Sequence, residues 1–241
     1  MLEAALWGLV GGLALLLGAA LVFIRPLEVR TNAYVMAFGA GVLISAVAFD
    51  LTEEAIELGG GAPATIGLAA GALTFFGGDW LLDRRGGGDR KRSGGQQSEG
   101  NPAAIALGSL LDGIPESAAI GLTLLEGGGV SLSFVVAVFL SNLPESVSAT
   151  TGLLKAGRSR RWIAALWLSV AAAAAVSAML GYELLGGGSN ELAAGVKGFA
   201  GGAILCMLAD TMMPEAFDEA GRKVGLVTVL GFALAALLST A

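Results

Sequence analysis

The chain has 241 residues, of which 55% are hydrophobic and 14% are charged, and its mean hydropathy is +0.75. Soluble domains carry about 25% charged residues, so this composition excludes a disordered chain and argues against a soluble domain. With no histidine, one cysteine and a net charge of −6, the chain cannot use imidazole in catalysis or metal binding, cannot form an internal disulfide, and is not expected to bind nucleic acid.

Eight apolar stretches are long enough to cross a bilayer as helices, which requires about 18 residues or more. We call them spans one to eight, and in chain order they cover about 4–24, 32–52, 63–82, 102–124, 131–154, 162–184, 192–218 and 224–241. The sequence therefore predicts an all-α integral membrane protein with eight transmembrane helices, forming a single transmembrane domain over residues 1–241.

The longest polar stretch, residues 84–101, lies between spans three and four. It is rich in glycine, serine and charged residues, a composition that predicts a flexible loop. Every lysine and arginine except Lys197 lies in the loops that follow spans one, three, five and seven. The positive-inside rule predicts that these loops are cytoplasmic and that both termini are outside, and we expect the cell membrane as the location. We expect Lys197 to extend from span seven to the outer interface.

Two internal repeats occur within this set of spans. In spans four and five, residues 110–117 (LLDGIPES) resemble residues 139–146 (FLSNLPES). In spans two and seven, residues 38–55 resemble residues 199–216 at an offset of 161. Both pairs run in opposite directions through the membrane. Inverted repeats of this kind, here spans one to three against six to eight and span four against span five, are typical of secondary transporters.

Acidic side chains lie near the middle of spans four and five. Asp112 and Glu116 are four residues apart on span four, which places both carboxylates on one helical face. On span five, Ser141 and Asn142 precede Glu145 by about one turn. Each of the two glutamates follows a proline, which removes a backbone donor and bends the helix. The pattern predicts a polar site shared by the two spans.

A charged side chain at the bilayer centre costs about 2.5–3.5 kcal/mol. No basic residue within spans four and five could neutralise Asp112, Glu116 and Glu145. These acids must then be protonated, hydrated or bound to a cation, and a divalent cation with oxygen ligands is the tightest of these solutions. The alternative is that neutral carboxyls hydrogen-bond the helices together. Asp210 of span seven is either a third contributor or an interfacial acid.

Two further groups of acids carry less information. Asp50, Glu53, Glu54 and Glu57 lie at the outer end of span two, where they could form an acidic entrance that concentrates cations or simply a polar helix end. Asp79 of span three gives no clear signal.

These features together resemble the ZIP family of divalent metal transporters. The resemblance covers essentially the whole chain, and the paired Pro-Glu motifs of spans four and five are its most specific part. The segment from Asp210 to Glu215, D-x-x-x-P-E, also fits. Family members typically have His-Asn-x-Pro-Glu-Gly on span four, where this chain has Asp-Gly-Ile-Pro-Glu-Ser. The chain thus resembles an atypical, histidine-free member of bacterial or archaeal type.

The resemblance implies transport of a divalent ion (zinc, iron, manganese or cadmium) across the membrane into the cytoplasm, with no enzymatic reaction and no organic cofactor. It also implies that the pair of spans four and five moves against the other six, and that the protein can be a homodimer. The metal ligands that it implies are Asp112, Glu116, Asn142, Glu145 and Asp210. Because the chain lacks imidazole, we expect a harder site than in typical members.

Three other functions stay open at this point. The acids could carry protons in a secondary transporter of a non-metal substrate. The chain could be a ZIP-like protein that binds metal without transporting it. An intramembrane aspartyl protease would need two facing aspartates, for which Asp112 and Asp210 are available, but residues 76–79 read Phe-Gly-Gly-Asp instead of the G-x-G-D signature.

Overall fold

The computed structural model describes residues 1–25, 27–124, 129–185 and 189–239, and every regular element in these ranges is a helix. Six spans are uninterrupted helices in the described residues: span one Leu2–Ile24, span three Gly61–Asp83, span four Pro102–Thr123, span five Leu132–Lys155, span six Arg160–Leu185 and span eight Lys223–Ser239. The predicted all-helical architecture is confirmed.

Spans two and seven each contain a π-helical segment, in which a carbonyl bonds the amide five residues ahead. Span two consists of Val29–Ala46, the π-helix Val47–Glu53 and the α-helix Glu54–Gly59. Span seven consists of Asn190–Met207, the π-helix Leu208–Met212 and the α-helix Met213–Ala220. The two π-helices begin 161 residues apart, which is the offset of the sequence repeat.

Helix ends follow local chemistry. The Asn101 side chain accepts a hydrogen bond from the Ala103 amide at 2.9 Å and caps span four. Ser131 caps span five in the same way by accepting from the Phe134 amide at 3.1 Å. Spans two and seven end at Gly60 and Gly221, whose φ angles of 91° and 69° suit glycine.

Length and composition indicate an integral membrane protein. Within the described ranges, seven helices are long and apolar enough to cross a membrane, and span eight is a shorter apolar helix of 17 residues. Large apolar side chains such as Leu73 (71% exposed) and Leu226 (76% exposed) lie on the outer surface. Soluble proteins seldom expose large apolar patches, whereas helices that face lipid do.

The spans pack closely at glycines. Gly41 of span two lies against the Thr228 backbone of span eight, and Gly202 of span seven lies against the Leu68 backbone of span three. A side chain at either position would overlap the neighbouring backbone. Because apolar side chains gain nothing by leaving lipid for each other, small residues of this kind are a common means of packing helices in membranes.

Candidate functional site

The acids predicted on spans four and five are buried and close together. Asp112 is 2% exposed, Glu116 1% and Glu145 4%. Ser141 of span five donates a long hydrogen bond of 3.4 Å to Glu116 Oε1 and so connects the two spans. The second oxygen, Glu116 Oε2, is buried without a hydrogen-bond partner. A buried acceptor in this state is costly to desolvate, which marks it as a position where a ligand would be stabilising.

Two cations compensate part of this negative charge, and they come from the loop between spans three and four. Lys91 Nζ lies 3.3 Å from Asp112 Oδ2 and 3.0 Å from Glu145 Oε2, so it joins span four to span five. Arg90 donates two hydrogen bonds to Asp112, from Nε at 2.8 Å and from the guanidinium Nη2 at 2.9 Å. The same Nη2 donates to Asp79 of span three at 2.5 Å.

The sequence led us to look for neutralising charges only within the spans, and that expectation was wrong for Asp112 and Glu145. A loop rich in glycine can fold back without steric cost, so a polar stretch outside the membrane can reach buried acids. Burial lowers the pKa of Lys91, but the charges of Asp112 and Glu145 outweigh this and hold it above the ordinary 10.5. Lys91 is therefore a permanent cation near neutral pH. The loop's predicted flexibility stays a prediction.

The next two loop residues contact span seven. Arg92 pairs with Asp218 at 2.6 Å and with Glu215 at 3.4 Å. The Ser93 amide donates to Glu215 Oε1 at 3.2 Å, and its hydroxyl donates to Glu219 at 2.9 Å. Residues 90–93, which we call the docked segment, therefore contact spans three, four, five and seven at once.

Asn142 and Asp210 differ from the three core acids in their surroundings. The Asn142 side chain is 5% exposed and donates to the Gly11 carbonyl of span one at 3.3 Å. Asp210 lies in the π-helix of span seven, is exposed, and accepts from Cys206 Sγ at 3.3 Å. It lines a small cavity with Asp79, Glu215 and the cations of the docked segment. The structure thus places Asp210 beside the site rather than in contact with Glu116.

As they stand, no three acidic or cysteine side chains in the described ranges are close enough to hold a metal ion. Two of the three core acids are instead held by Arg90 and Lys91. Sequence reasoning missed these two cations, and it missed Asp79, which Arg90 joins to Asp112. The one signal that could have found them is the run Arg90-Lys91-Arg92, placed next to a pair of spans with uncompensated acids.

The outer end of span two has its own polar contacts. Asp50 accepts hydrogen bonds from Ser131 at 3.2 Å and from Ser133 at 2.8 Å. Lys197 is 1% exposed, and its Nζ lies 2.8 Å from Glu54 Oε2. The expectation that Lys197 extends to the interface was therefore wrong: a buried lysine is stabilised by a carboxylate on the neighbouring span.

No family model matches the chain. It is 25% identical over 228 residues to the Arabidopsis thaliana protein named "Putative zinc transporter At3g08650". The matched region covers 93% of this chain and 36% of that protein, so the chain spans about a third of the length of this curated relative.

Proposed function

We propose that the protein is a divalent metal-ion transporter whose site is formed by Asp112, Glu116, Asn142 and Glu145, with Asp210 of span seven at its edge. The observation that carries this proposal is the presence of three buried carboxylates on two adjacent membrane spans, one of which has an unpartnered oxygen. Carboxylate oxygens suit manganese and can also bind zinc; we propose zinc, iron, manganese or cadmium as the substrate. The name of the Arabidopsis relative supports the same class of substrate.

The inverted-repeat architecture expected of the ZIP family is part of this proposal. Gly41 against Thr228 joins span two to span eight, and Gly202 against Leu68 joins span seven to span three. A twofold relation that exchanges spans two and seven, and spans three and eight, converts one contact into the other. The neighbouring contacts, Gly231 against Phe38 and Gly71 against Phe199, obey the same exchange. These matched contacts support a pseudo-twofold axis in the membrane plane, with the site near it.

The proposed direction of transport is from the outside into the cytoplasm of the cell. This direction is what the resemblance to the ZIP family implies. The distribution of basic residues supports only the topology, with cytoplasmic loops after spans one, three, five and seven and termini on the outer side. We propose that spans four and five move as a unit against the other spans and so expose the site alternately to the two sides. We also propose that the chain forms a single transport domain, that it acts without enzymatic chemistry, and that it can pair as a homodimer.

The test is uptake of ions by the purified protein in proteoliposomes. Zn²⁺, Mn²⁺, Fe²⁺ and Cd²⁺ are offered in parallel to the unsubstituted chain, to Glu116→Gln and to Glu145→Gln. Glu3→Gln is the matched control, since Glu3 is exposed at the start of span one. We expect uptake of at least one ion that both site variants lose and the control keeps.

Two results would contradict the proposal, and each would favour another function. Metal binding without uptake would identify a ZIP-like protein that does not transport. Neither binding nor uptake would favour a secondary transporter of a non-metal substrate that uses its acids as proton carriers.

A further inference from the structure

We propose that Arg90 and Lys91 are an internal occupant of the carboxylate site and that they compete with the transported ion for Asp112 and Glu145. This inference rests on the proposed function and concerns the regulation of the same site. Together the two side chains bring two positive charges, which is the charge of one divalent ion. The docked segment is thus a tethered substitute for the substrate, and the site is closed on the side of the loop when no ion is bound.

The contacts of the two side chains support this role. The Arg90 side chain is 1% exposed and that of Lys91 is 5% exposed, although both belong to a loop. Every charged partner of Lys91 in the described ranges is one of the proposed ligands, Asp112 or Glu145. An ion bound by these carboxylates would need the positions that Lys91 and Arg90 hold, and it would repel both cations if they stayed.

Two glycines on the spans provide space for the docked segment. Gly108 lies one turn before Asp112 on span four, and a Cβ there would overlap the Arg90 stem and lie 2.8 Å from Arg90 Nε. Gly152 lies on span five, and a Cβ there would overlap the Arg92 carbonyl oxygen and lie 2.5 Å from Gln97 Oε1. Gln97 is fully buried and stabilises the docked segment by donating a hydrogen bond to the Arg92 carbonyl oxygen at 2.5 Å.

Substitutions at these glycines should disturb the docking of the segment without changing any residue that binds the ion. Gly152→Ala prevents the docked segment from packing against span five, and it substitutes none of the proposed ligands and neither Arg90 nor Lys91. Gly108→Ala displaces Arg90 alone and serves as a second variant. Alanine is favourable within a helix, so neither change should disturb span four or five itself. Gly77→Ala on span three is the matched control, because a Cβ there meets no atom within 4 Å.

The first readout is docking itself, measured by limited trypsin digestion and mass spectrometry in detergent. Trypsin cleaves after lysine and arginine, so docking should protect the bonds after Arg90 and Lys91, whereas Arg85 is exposed and gives the reference rate. We expect cleavage after Arg90 and Lys91 to be at least tenfold faster, relative to Arg85, in Gly152→Ala than in Gly77→Ala. Saturating Zn²⁺, or Mn²⁺ in parallel, should produce a comparable increase in the unsubstituted chain.

The second readout is uptake of the same ions in proteoliposomes. If the undocked fraction is about a tenth or less, removing the docked state lowers the half-saturating ion concentration at least tenfold. We therefore expect that decrease in Gly152→Ala, a smaller one in Gly108→Ala, and none in Gly77→Ala.

The outcomes distinguish the two proposals. Uptake with equal half-saturation in Gly152→Ala and Gly77→Ala, or ion-independent cleavage after Lys91, would overturn the competition and leave the transport function intact. Absence of ion uptake and ion binding in every variant would overturn the transport function and the competition together.

Discussion

Glu116 offers a prediction in which stability and function change in opposite directions. Its side chain is 1% exposed, its single hydrogen bond to Ser141 is long at 3.4 Å, and Oε2 has no partner. Leaving a buried polar group unsatisfied costs about 1–3 kcal/mol. Glu116→Gln keeps the shape and leaves an equally unpartnered amide atom at the position of Oε2, so any gain comes from removing a buried carboxylate charge, for which we expect the free energy of unfolding to rise by about 1–2 kcal/mol. For a chain of this size that is a rise of about 2–8 °C in Tm.

The same substitution should damage transport. A hydrogen-bonding or ligand contact with a charged group is worth about 1.5–3 kcal/mol, and 1.4 kcal/mol is tenfold in affinity. We expect ion uptake below saturation to fall by about tenfold to a hundredfold. Glu145→Gln should lose uptake too, but its Tm should fall, because Lys91 then loses its partner at 3.0 Å. The accompanying loss of unfolding free energy should stay below the roughly 3–5 kcal/mol that breaking a buried ion pair completely costs, because Lys91 keeps Asp112 as a partner.

Thermal unfolding in detergent, followed by tryptophan fluorescence, measures the first effect, and proteoliposome uptake measures the second. Glu3→Gln should change neither quantity. A Tm for Glu116→Gln that falls as far as that of Glu145→Gln would refute the reasoning about the cost of the buried Glu116 charge. Uptake at the unsubstituted rate would refute the assignment of Glu116 to the site.

Three further predictions concern packing, the outer ion pair and pH. Gly202→Ala brings a Cβ to 2.7 Å from the Leu68 carbonyl carbon, and this overpacking should lower Tm by an amount that corresponds to about 1–3 kcal/mol. Gly225→Ala is the control, because a Cβ there meets no atom within 4 Å, and it should leave the melting curve unchanged. Lys197→Met should lower Tm, because Glu54 then loses its partner at 2.8 Å. The double variant Lys197→Met with Glu54→Gln should recover most of that loss. A double variant whose Tm is no higher than that of Lys197→Met would contradict the pairing. Burial lowers the pKa of Lys91 but its carboxylate partners raise it above 10.5, so the pair's contribution is complete below that pH and is lost only as pH rises through the higher folded value. Trypsin protection after Lys91 should consequently be equal at pH 7 and pH 9, and its loss by pH 9 would count against the pair.

The helices could be predicted because their signal is local. An uninterrupted apolar run has one stable form in lipid, a helix that satisfies its own backbone. Asp112 and Glu116 could be placed on one face by their spacing alone, and the repeat related spans four and five before any contact was known. In each case, the residues that carry the information are neighbours in sequence.

The docked segment could not be predicted for the opposite reason. Arg90 reaches Asp112 across a loop with no periodicity, and its seat depends on Gly108, whose only sequence signal is a missing side chain. The π-helices of spans two and seven were equally hidden, because no residue type specifies the extra residue. Asp210 was assigned to the site from its span, but its depth and direction depend on the π-helix in which it lies.

That π-helix has a counterpart with consequences at the outer end of span two. Asp50 and Glu54 are four residues apart and would share one face of a regular α-helix. One extra residue turns everything beyond it by about 100°, and the two acids in fact bind different neighbours: Asp50 accepts from Ser131 and Ser133 at the start of span five, and Glu54 pairs with Lys197 of span seven. A helical wheel drawn through span two would therefore assign one of them to the wrong neighbour. In the proposed motion of spans four and five, the hydrogen bonds between Asp50 and span five must break, whereas the ion pair between Glu54 and span seven stays. The same short segment of span two therefore contacts both the moving and the stationary part of the protein.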